Sequence, residues 1–403
     1  MKRLATCFIA VTFALLCAFS IASLFTSAAT RCDFRYRMAE VDCVFNKGVD
    51  PFMVWNEEVV VVPYCSNNPL CRTVPEGCTQ AISVYPPWEY TFMMPLTMAG
   101  ADVAWWLFSA FSLFAVFLVF MACRWTSAAV VSLLAIVYPL WSNLMVGNHV
   151  AIALAAAVLM GCSLDRRRDI VAGVCWAVVM MKPQIGLVFA IPLLMRGRFM
   201  VALVAAVTCL LLSVPSVISC NASLIDMLCE PSKATAFAFQ GCGTWPKFLC
   251  GRFGNEADIG IGLAVGAVLC AWMTWLLRRE RDWLVFLMPA AICASCWTYT
   301  QAYSHAMGWF VVYAIVSELL RNRRSKFLWT LFAISIPVLS RAFLAWHGCC
   351  AFFGFRFPMS EYAFRCVDSL NSTASLAIAL AFCLWKWSCL RAPGLAEQSV
   401  SGV

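Results

Sequence analysis

Apolar runs long enough to cross a bilayer recur along most of the chain, and this feature restricts the fold more than any other. A transmembrane helix needs about 20 mainly apolar residues. Of the 403 residues, 63% are hydrophobic and 12% are charged, whereas soluble globular proteins carry about 25% charged residues. So few charges cannot cover the surface of a soluble protein of this size. The sequence therefore predicts an all-α polytopic membrane protein.

The basic residues form tight clusters between the apolar runs, at 166–168, 196–198, 278–281 and 321–326. Clusters of this kind mark the short cytoplasmic loops of membrane proteins. The formal net charge of +8 is therefore a signal of topology, because a nucleic-acid partner would require a basic patch on one surface. We expect no nucleic-acid partner.

Alternation of the runs from a cytoplasmic N-terminus predicts a single integral membrane domain, 1–403, with about twelve transmembrane segments. Both termini are then cytoplasmic, with a tail at 391–403, and large outer loops lie at 30–99, 218–259 and 346–371. The fifth and sixth runs are too short to span the bilayer alone, so they are interpreted as two halves of a hairpin. The predicted crossings are 4–29, 100–122, 126–146, 149–163, 170–181, 186–195, 199–217, 260–277, 283–299, 306–320, 327–345 and 372–390.

The first apolar run, 4–29, has two interpretations. It is longer than the apolar region of about 7–15 residues in a secretory signal peptide, which favours a retained first helix. Ser27-Ala28-Ala29 would suit a cleavage site, which favours a signal peptide. In both cases the segment that follows lies outside the cytoplasm.

Twelve of the 23 cysteines fall in the predicted outer loops. This distribution indicates disulfides in an oxidising compartment, with a pairing that the sequence leaves open. Zinc is the alternative, but the spacing in the first loop matches no structural zinc pattern and the chain has only three histidines. The outer cysteines are Cys32, Cys43, Cys65, Cys71, Cys78, Cys220, Cys229, Cys242, Cys250, Cys349, Cys350 and Cys366.

Asp33 follows the first apolar run by only a few residues, at the predicted outer boundary of the membrane. Polar groups that are costly near a membrane are candidates for a functional site. A partly shielded carboxylate at this depth could act as a general base on a hydroxyl group. The alternative is structural, because Asp33 and Arg37 have the i,i+4 spacing of an ion pair on a short helix.

Lys182 lies about 13 residues after Asp169, or about 20 Å from the cytoplasmic face if the segment is helical. Pro183 then breaks the helix, and a break at this depth is tolerated only inside protein or beside a polar cavity. A lysine there could hold a lipid phosphate. The alternative is a lysine whose ammonium group reaches back to the outer interface.

Three weaker signals lie on the same predicted side of the membrane. The segment Tyr85-Pro86-Pro87-Trp88-Glu89-Tyr90 leads into the second crossing, and such segments usually anchor a loop to lipid headgroups. Gly147-Asn148-His149 forms an outer turn, and His305 ends another, at 299–305. A lone histidine is more often a hydrogen-bonding group at a helix end, so the candidacy of His305 depends on its sharing a face with Asp33 and Lys182.

Taken together, these motifs resemble the polyprenol-phosphate-sugar-dependent glycosyltransferases of family 87, which include α-mannosyltransferases of phosphatidylinositol mannoside synthesis. The resemblance covers about residues 1–320. Asn148 stands where the family has glutamine, and His305 stands alone where the family often has two histidines. The motifs that carry it are the acidic residue after helix one, Gly48-Val49-Asp50-Pro51-Phe52, Tyr85-Pro86-Pro87, Gly147-Asn148, Lys182-Pro183-Gln184, Arg196-Gly197-Arg198 and the segment 297–305.

The resemblance implies a GT-C-type helical bundle with interfacial helices in the first outer loop, and an active site on the extracytoplasmic side of the plasma membrane. The donor would be a sugar, mannose first of all, on a polyprenyl phosphate in the membrane lipid, and the acceptor a glycolipid or glycan. Asp33 matches the family's catalytic acid. The donor phosphate and substrate would contact Lys182, His305, Arg35, Asn148, His149, Gln184 and Tyr85. The segment Asp33-Phe34-Arg35 contains no Asp-x-Asp pair, so we expect no metal and no cofactor.

Two other functions stay open on the sequence alone. A transporter of lipids or solutes would place ionisable groups near the bilayer midplane and often shows internal repeats, and this chain shows neither. A polymerase or ligase of lipid-linked glycans would use arginines of a late outer loop. Arg341, Arg356 and Arg365 flank or lie within such a loop.

Overall fold

The computed structural model describes residues 32–46, 85–225, 227, 256–296, 302–339 and 361–391. All regular structure in these ranges is helical, which confirms the predicted all-α class for this part of the chain. The first predicted crossing, most outer-loop cysteines and the tail after Arg391 lie outside the described residues. The disulfides therefore stay a prediction.

The described ranges contain sixteen α-helices and two 3₁₀ segments, Leu187–Phe189 and Ala302–Gly308. The first two helices lie within the predicted first outer loop. The α-helices are α1 Cys32–Asn46, α2 Pro87–Thr97, α3 Ala101–Ala122, α4 Ser127–Ala135, α5 Val137–Val146, α6 Val150–Asp165, α7 Asp169–Val179, α8 Pro183–Gly186, α9 Ala190–Met195, α10 Phe199–Cys220, α11 Glu256–Leu276, α12 Trp283–Phe286, α13 Met288–Cys296, α14 Trp309–Arg321, α15 Lys326–Leu339 and α16 Glu361–Arg391.

Helix α6 lies in the interior of the bundle, where 13 of its 16 residues are buried. It packs against α3 and α7. It also contacts α12, and there Gly161 allows a close approach, because a Cβ on Gly161 would meet the side chain of Leu284 at 2.6 Å. Helix α13 is also buried along its whole length. A helix that is apolar on every side is typical of a bundle interior.

The outer faces of α3 and α10 carry large apolar side chains that no described part of the protein covers. Such faces are unfavourable in water but suit contact with lipid. By length and composition both helices could cross a membrane. The exposed side chains include Trp106, Leu107, Phe111, Phe114, Leu203, Leu210, Leu211 and Ile218.

Three described helices are long and apolar enough to cross a membrane: 102–122, 199–220 and 370–391. A fourth span results if the bent pair 127–135 and 139–146 counts as one. The other apolar helices in the described ranges have 10–17 residues, so the structure supports a membrane protein without confirming twelve crossings.

Proline residues explain why several predicted crossings are divided. Pro139 lies near the 63° bend between α4 and α5, where its ring would clash with the carbonyl of Ala135 in a continuous helix. Pro183 begins α8 after the break at Lys182, as the sequence predicts. Pro289 follows the junction of α12 and α13.

Candidate functional site

The carboxylate of Asp33 is held by a residue that lies far away in the sequence. The Asn148 side-chain amide donates a hydrogen bond from Nδ2 to Asp33 Oδ2 at 2.9 Å. Asp33 lies in the first turn of α1 and is partly buried, whereas Asn148 is 1% exposed. The next residue, Phe34, is buried against Trp105 and Phe108 of α3, which fixes the start of α1 against the bundle.

The turn between α5 and α6 places Asn148 and His149 by means of one buried asparagine. The Asn143 carbonyl accepts the backbone N–H groups of Gly147 and Asn148 at 3.0 and 3.1 Å. Its side-chain oxygen accepts the N–H groups of Val150 and Ala151 at the start of α6. Gly147 adopts φ +73°, a conformation that disfavours side chains with a Cβ. The turn is therefore closely specified by the local sequence.

Lys182 lies at the apex of a tight reversal of the chain and is only 2% exposed. The Trp176 indole donates to the Gly186 carbonyl at 2.8 Å, whereas ten residues of continuous helix would separate these groups by about 15 Å. The Lys182 carbonyl accepts the N–H groups of Ile185 and Gly186, both at 2.8 Å. The predicted hairpin at Lys182-Pro183 is therefore present, and its lysine is buried within the protein.

Helix α2 connects the Lys182 reversal to the rest of the site. The Trp88 indole donates to the carbonyl of Met180 at 3.0 Å, two residues before Lys182. On the other side, the Ser216 hydroxyl donates to the carbonyl of Pro87 at 2.8 Å, which fixes the start of α2 on α10. Because Pro87 is the first residue of α2, its missing N–H leaves no additional donor without a partner.

Glu89 is a buried acid on α2, only 1% exposed. Its Oε1 lies 3.2 Å from Nδ1 of His149, and Nε2 of that ring lies 3.2 Å from the sulfur of Met93. Burial raises the pKa of Glu89 well above its ordinary value, while the positive charges of Arg37 and Lys182 act to lower it. Two neighbouring residues of one turn, Asn148 and His149, therefore contact two different acids, Asp33 and Glu89.

Two cations lie around the ring of Tyr85. The guanidinium of Arg37 stacks over the ring at 3.7 Å from its centroid, and the Lys182 Nζ lies 5.7 Å from the same centroid. Arg37 also pairs with the buried Glu40, one turn further along α1. Burial raises the pKa of Tyr85 above its ordinary value, so the phenol is neutral at physiological pH.

Asp33 and Lys182 belong to one group of interacting charges. The Asp33 and Glu89 carboxylates both lie close enough to Lys182 to interact electrostatically with its ammonium group. Such an arrangement combines a carboxylate able to accept a proton with a cation able to stabilise a developing negative charge. It suits a reaction in which a hydroxyl group attacks and an anionic group leaves.

The sequence model of glycosyltransferase family 87 matches residues 84–298, which is more than half of the chain. The chain belongs to glycosyltransferase family 87. No curated protein and no solved structure matches it significantly. Family membership confirms that the protein is a glycosyltransferase, and it removes the transporter alternative.

The family 87 match includes several residues of the site but excludes Asp33 and His305. Helix α1 therefore reaches the site from outside the matched segment, through the contact between Asp33 and Asn148. The residues inside the match are Tyr85, Glu89, Asn148, His149, Lys182 and Gln184.

The structure of this family 87 glycosyltransferase brings together Asp33, Tyr85, Asn148, His149 and Lys182. The interpretation of Lys182 as a residue that reaches the outer interface is wrong, because its side chain is buried.

The contacts that define this group do not include the other three predicted residues, His305, Gln184 and Arg35. His305 is buried in the segment Ala302–Gly308, which packs against α5 and α13. Gln184 is half-buried on α8. Arg35 belongs to α1, but its side chain lies outside the described part of the structure.

Three site residues are absent from the sequence-based prediction: Arg37, Glu40 and Glu89. Glu89 lies within the proline-aromatic segment that the sequence analysis interprets as a headgroup anchor. One feature of the sequence could have indicated its burial. Glu89 lies between Trp88 and Tyr90, and burial of both aromatic neighbours would bury the acid as well.

Proposed function

We propose that this glycosyltransferase transfers one sugar, with mannose as the first candidate, from a polyprenyl-phosphate donor to a glycolipid or glycan acceptor. Asp33 serves as the general base, and Lys182 holds the donor phosphate. We further propose a GT-C-type bundle in the plasma membrane with its site on the extracytoplasmic side. The resemblance described above and the geometry of Asp33 and Lys182 support this assignment.

The proposed step forms one bond and breaks one bond at the anomeric carbon of the donor sugar. Asp33 removes the proton of the acceptor hydroxyl as its oxygen attacks that carbon. The bond between the carbon and the phosphate oxygen breaks, and its electron pair stays on the phosphate. The Lys182 ammonium group stabilises the negative charge that develops there, and Asp33 is left protonated.

The observation that carries the proposal is that Asp33, which accepts a hydrogen bond from Asn148, interacts electrostatically with the buried Lys182. An amide that donates to one carboxylate oxygen orients the base without removing its charge. A buried ammonium requires an anionic partner to offset its loss of hydration. The phosphate of a lipid-linked donor would supply further negative charge at this cation during the reaction.

Kinetics of two substitutions in membrane vesicles test the assignment. The assay follows transfer of sugar from polyprenyl-phosphate mannose to endogenous acceptors. We expect Asp33→Asn to lower turnover by about 100-fold or more, because the base is lost, and Lys182→Met to raise the donor KM. Lys326→Met, at an exposed position on α15, is the matched control and leaves both constants unchanged. Normal turnover of folded Asp33→Asn protein would remove Asp33 from the mechanism.

Two further measurements address the nature of the reaction. We propose that side chains alone stabilise the leaving phosphate, so chelation of divalent metals leaves the rate unchanged. A decrease in rate that added magnesium restores would contradict this. Mass spectrometry of the product distinguishes a single added sugar from a transferred chain, which is the outcome expected of a polymerase or ligase.

A further inference from the structure

The carboxyl group of Glu89 is buried, yet it lacks hydrogen-bond donors in the described part of the protein. Neither Oε1 nor Oε2 accepts a hydrogen bond from a described residue, although Oε1 approaches His149 Nδ1 to 3.2 Å. Buried polar groups in native proteins are nearly always hydrogen-bonded, and exceptions need an explanation. A group of this kind within a substrate site points to a ligand as its partner.

Asn148 carries another buried acceptor atom that lacks a donor. Its Nδ2 donates to Asp33, but its Oδ1 is buried and accepts no hydrogen bond from a described residue. Glu89 and Asn148 are linked by His149, which follows Asn148 in the chain and contacts Glu89. Two buried groups with acceptor oxygens that lack described donors therefore lie at this turn: Asn148 contacts the proposed base directly, and Glu89 contacts the adjacent His149.

The chemistry of these two groups selects hydroxyl groups as the ligand. Phosphate carries only acceptor oxygens at its ionised positions, so it offers no hydrogen to Asn148 Oδ1 or to an acceptor oxygen of Glu89. A hydroxyl group both donates and accepts. The raised pKa of Glu89 favours a protonated carboxyl, which can donate one hydrogen bond to a hydroxyl oxygen and accept another.

We propose that Glu89 and the amide oxygen of Asn148 bind hydroxyl groups of a sugar ring and hold it beside Asp33. This inference rests on the proposed function and adds the part of the site that recognises the sugar. The ring could belong to the donor or to a glycan acceptor, since both present the same hydroxyl chemistry. Glu89 then contributes to binding of the sugar, whereas Lys182 binds the phosphate common to every donor.

Comparison of ligands with and without a sugar tests the proposal. Polyprenyl phosphate carries the phosphate but no sugar hydroxyl groups, and it is the expected product, so it inhibits by occupying the phosphate position. For Glu89→Ala, we expect the KM for polyprenyl-phosphate mannose to rise about 10-fold, from the loss of one or two hydrogen bonds. The inhibition constant for polyprenyl phosphate stays at the wild-type value. Glu89→Gln keeps an acceptor oxygen and restores most of the affinity.

The kinetic pattern identifies which sugar Glu89 binds. A raised donor KM supports recognition of the donor sugar, and a raised KM for a purified glycan acceptor with normal donor KM supports recognition of the acceptor. Asp102→Asn, at an exposed acid in the first turn of α3, is the matched control and leaves both constants unchanged.

Two results would overturn the proposal. One is Glu89→Ala with normal KM values for both substrates, and the other is an equal weakening of polyprenyl phosphate, which would indicate a structural role. If Glu89→Ala has normal KM values and Asp33→Asn is inactive, this inference is refuted but the proposed function is not. Absence of any transfer by the wild-type protein would refute the proposed function as well.

Discussion

Substitution of Gly147 by alanine tests whether the turn between α5 and α6 places the proposed base. A Cβ on Gly147 would lie 2.4 Å from the Cβ of Phe34 and 2.6 Å from the Trp105 ring. Ordinary contacts begin at 3.4 Å, so Phe34 would have to move by about 1 Å. Phe34 is bonded to Asp33, and we expect the displacement to pull the carboxylate away from Asn148.

The magnitude follows from the geometry. The left-handed conformation of Gly147 costs an alanine about 1–2 kcal/mol, and the steric overlap costs about 1–3 kcal/mol more. A displacement of about 1 Å in a reacting group lowers turnover by about 100-fold. We therefore expect Gly147→Ala protein that is less stable but still folded, with sugar transfer reduced by about two orders of magnitude.

Gly197 provides the matched control, because it has a similar φ of +66° and no close neighbour except Phe199 at 3.8 Å. Gly197→Ala thus carries the backbone strain without the steric overlap. We expect Gly197→Ala to lower thermal stability in detergent by about the amount that backbone strain contributes in Gly147→Ala. Its turnover in vesicles stays near the wild-type value. Normal turnover in Gly147→Ala, or an equal loss in both variants, would refute the reasoning.

Two further predictions concern the opposite end of the bundle. Lys386 contacts the buried carboxylates of Glu280 and Glu318, so Lys386→Met should destabilise the protein by about 3–5 kcal/mol. Thermal unfolding measures the effect, with Lys326→Met as the exposed control. Equal stability of the two variants would contradict this prediction. Partial burial raises the pKa of Asp165 to about 6, so ionisation of its carboxyl weakens the fold as the pH rises from about 4 to 6. We expect Asp165→Asn to unfold at a higher temperature than the wild type at pH 7 and at a similar temperature at pH 4, and an unchanged difference across this range would contradict the prediction.

Three of the buried polar residues that the structure brings together, Lys182, Asn148 and His149, have a local signal in the sequence. A lysine followed by proline within an apolar run predicts a break at Lys182, and the structure has a buried reversal at that position. Asn148 and His149 were identified because they follow Gly147 at a predicted turn. In each case a residue that interrupts the helix, Pro183 or Gly147, is adjacent in the sequence to the polar residue or to the polar pair itself.

The parts that the sequence did not predict depend on contacts between distant segments. Nothing in the sequence of α1 indicates that Arg37 stacks on Tyr85 rather than pairing with Asp33. Glu89 looked like an ordinary interfacial acid, because its burial depends on α2 being fixed to α10 through Pro87 and Ser216. Such packing cannot be read from periodicity, since α2 is short and almost evenly apolar.

The division of two predicted crossings into shorter helices is also not visible in hydropathy. Hydropathy identifies apolar segments but does not show whether a segment remains straight. Pro139 lies in one predicted crossing and Pro289 in another, and the helices are divided close to both. A proline near the first turn of a helix is well tolerated, so each of these two predicted crossings is divided into two shorter helices.

The hydrogen bond between Asn148 and Asp33 joins residues that are 115 positions apart. A ribosome adds about 5–20 residues per second, so Asn148 is synthesised about 6–23 s after Asp33. During that interval the newly made α1 carries its apolar face without the turn that later covers Phe34. The carboxylate of Asp33 therefore gains its hydrogen-bond donor only after α2, α3, α4 and α5 have been synthesised.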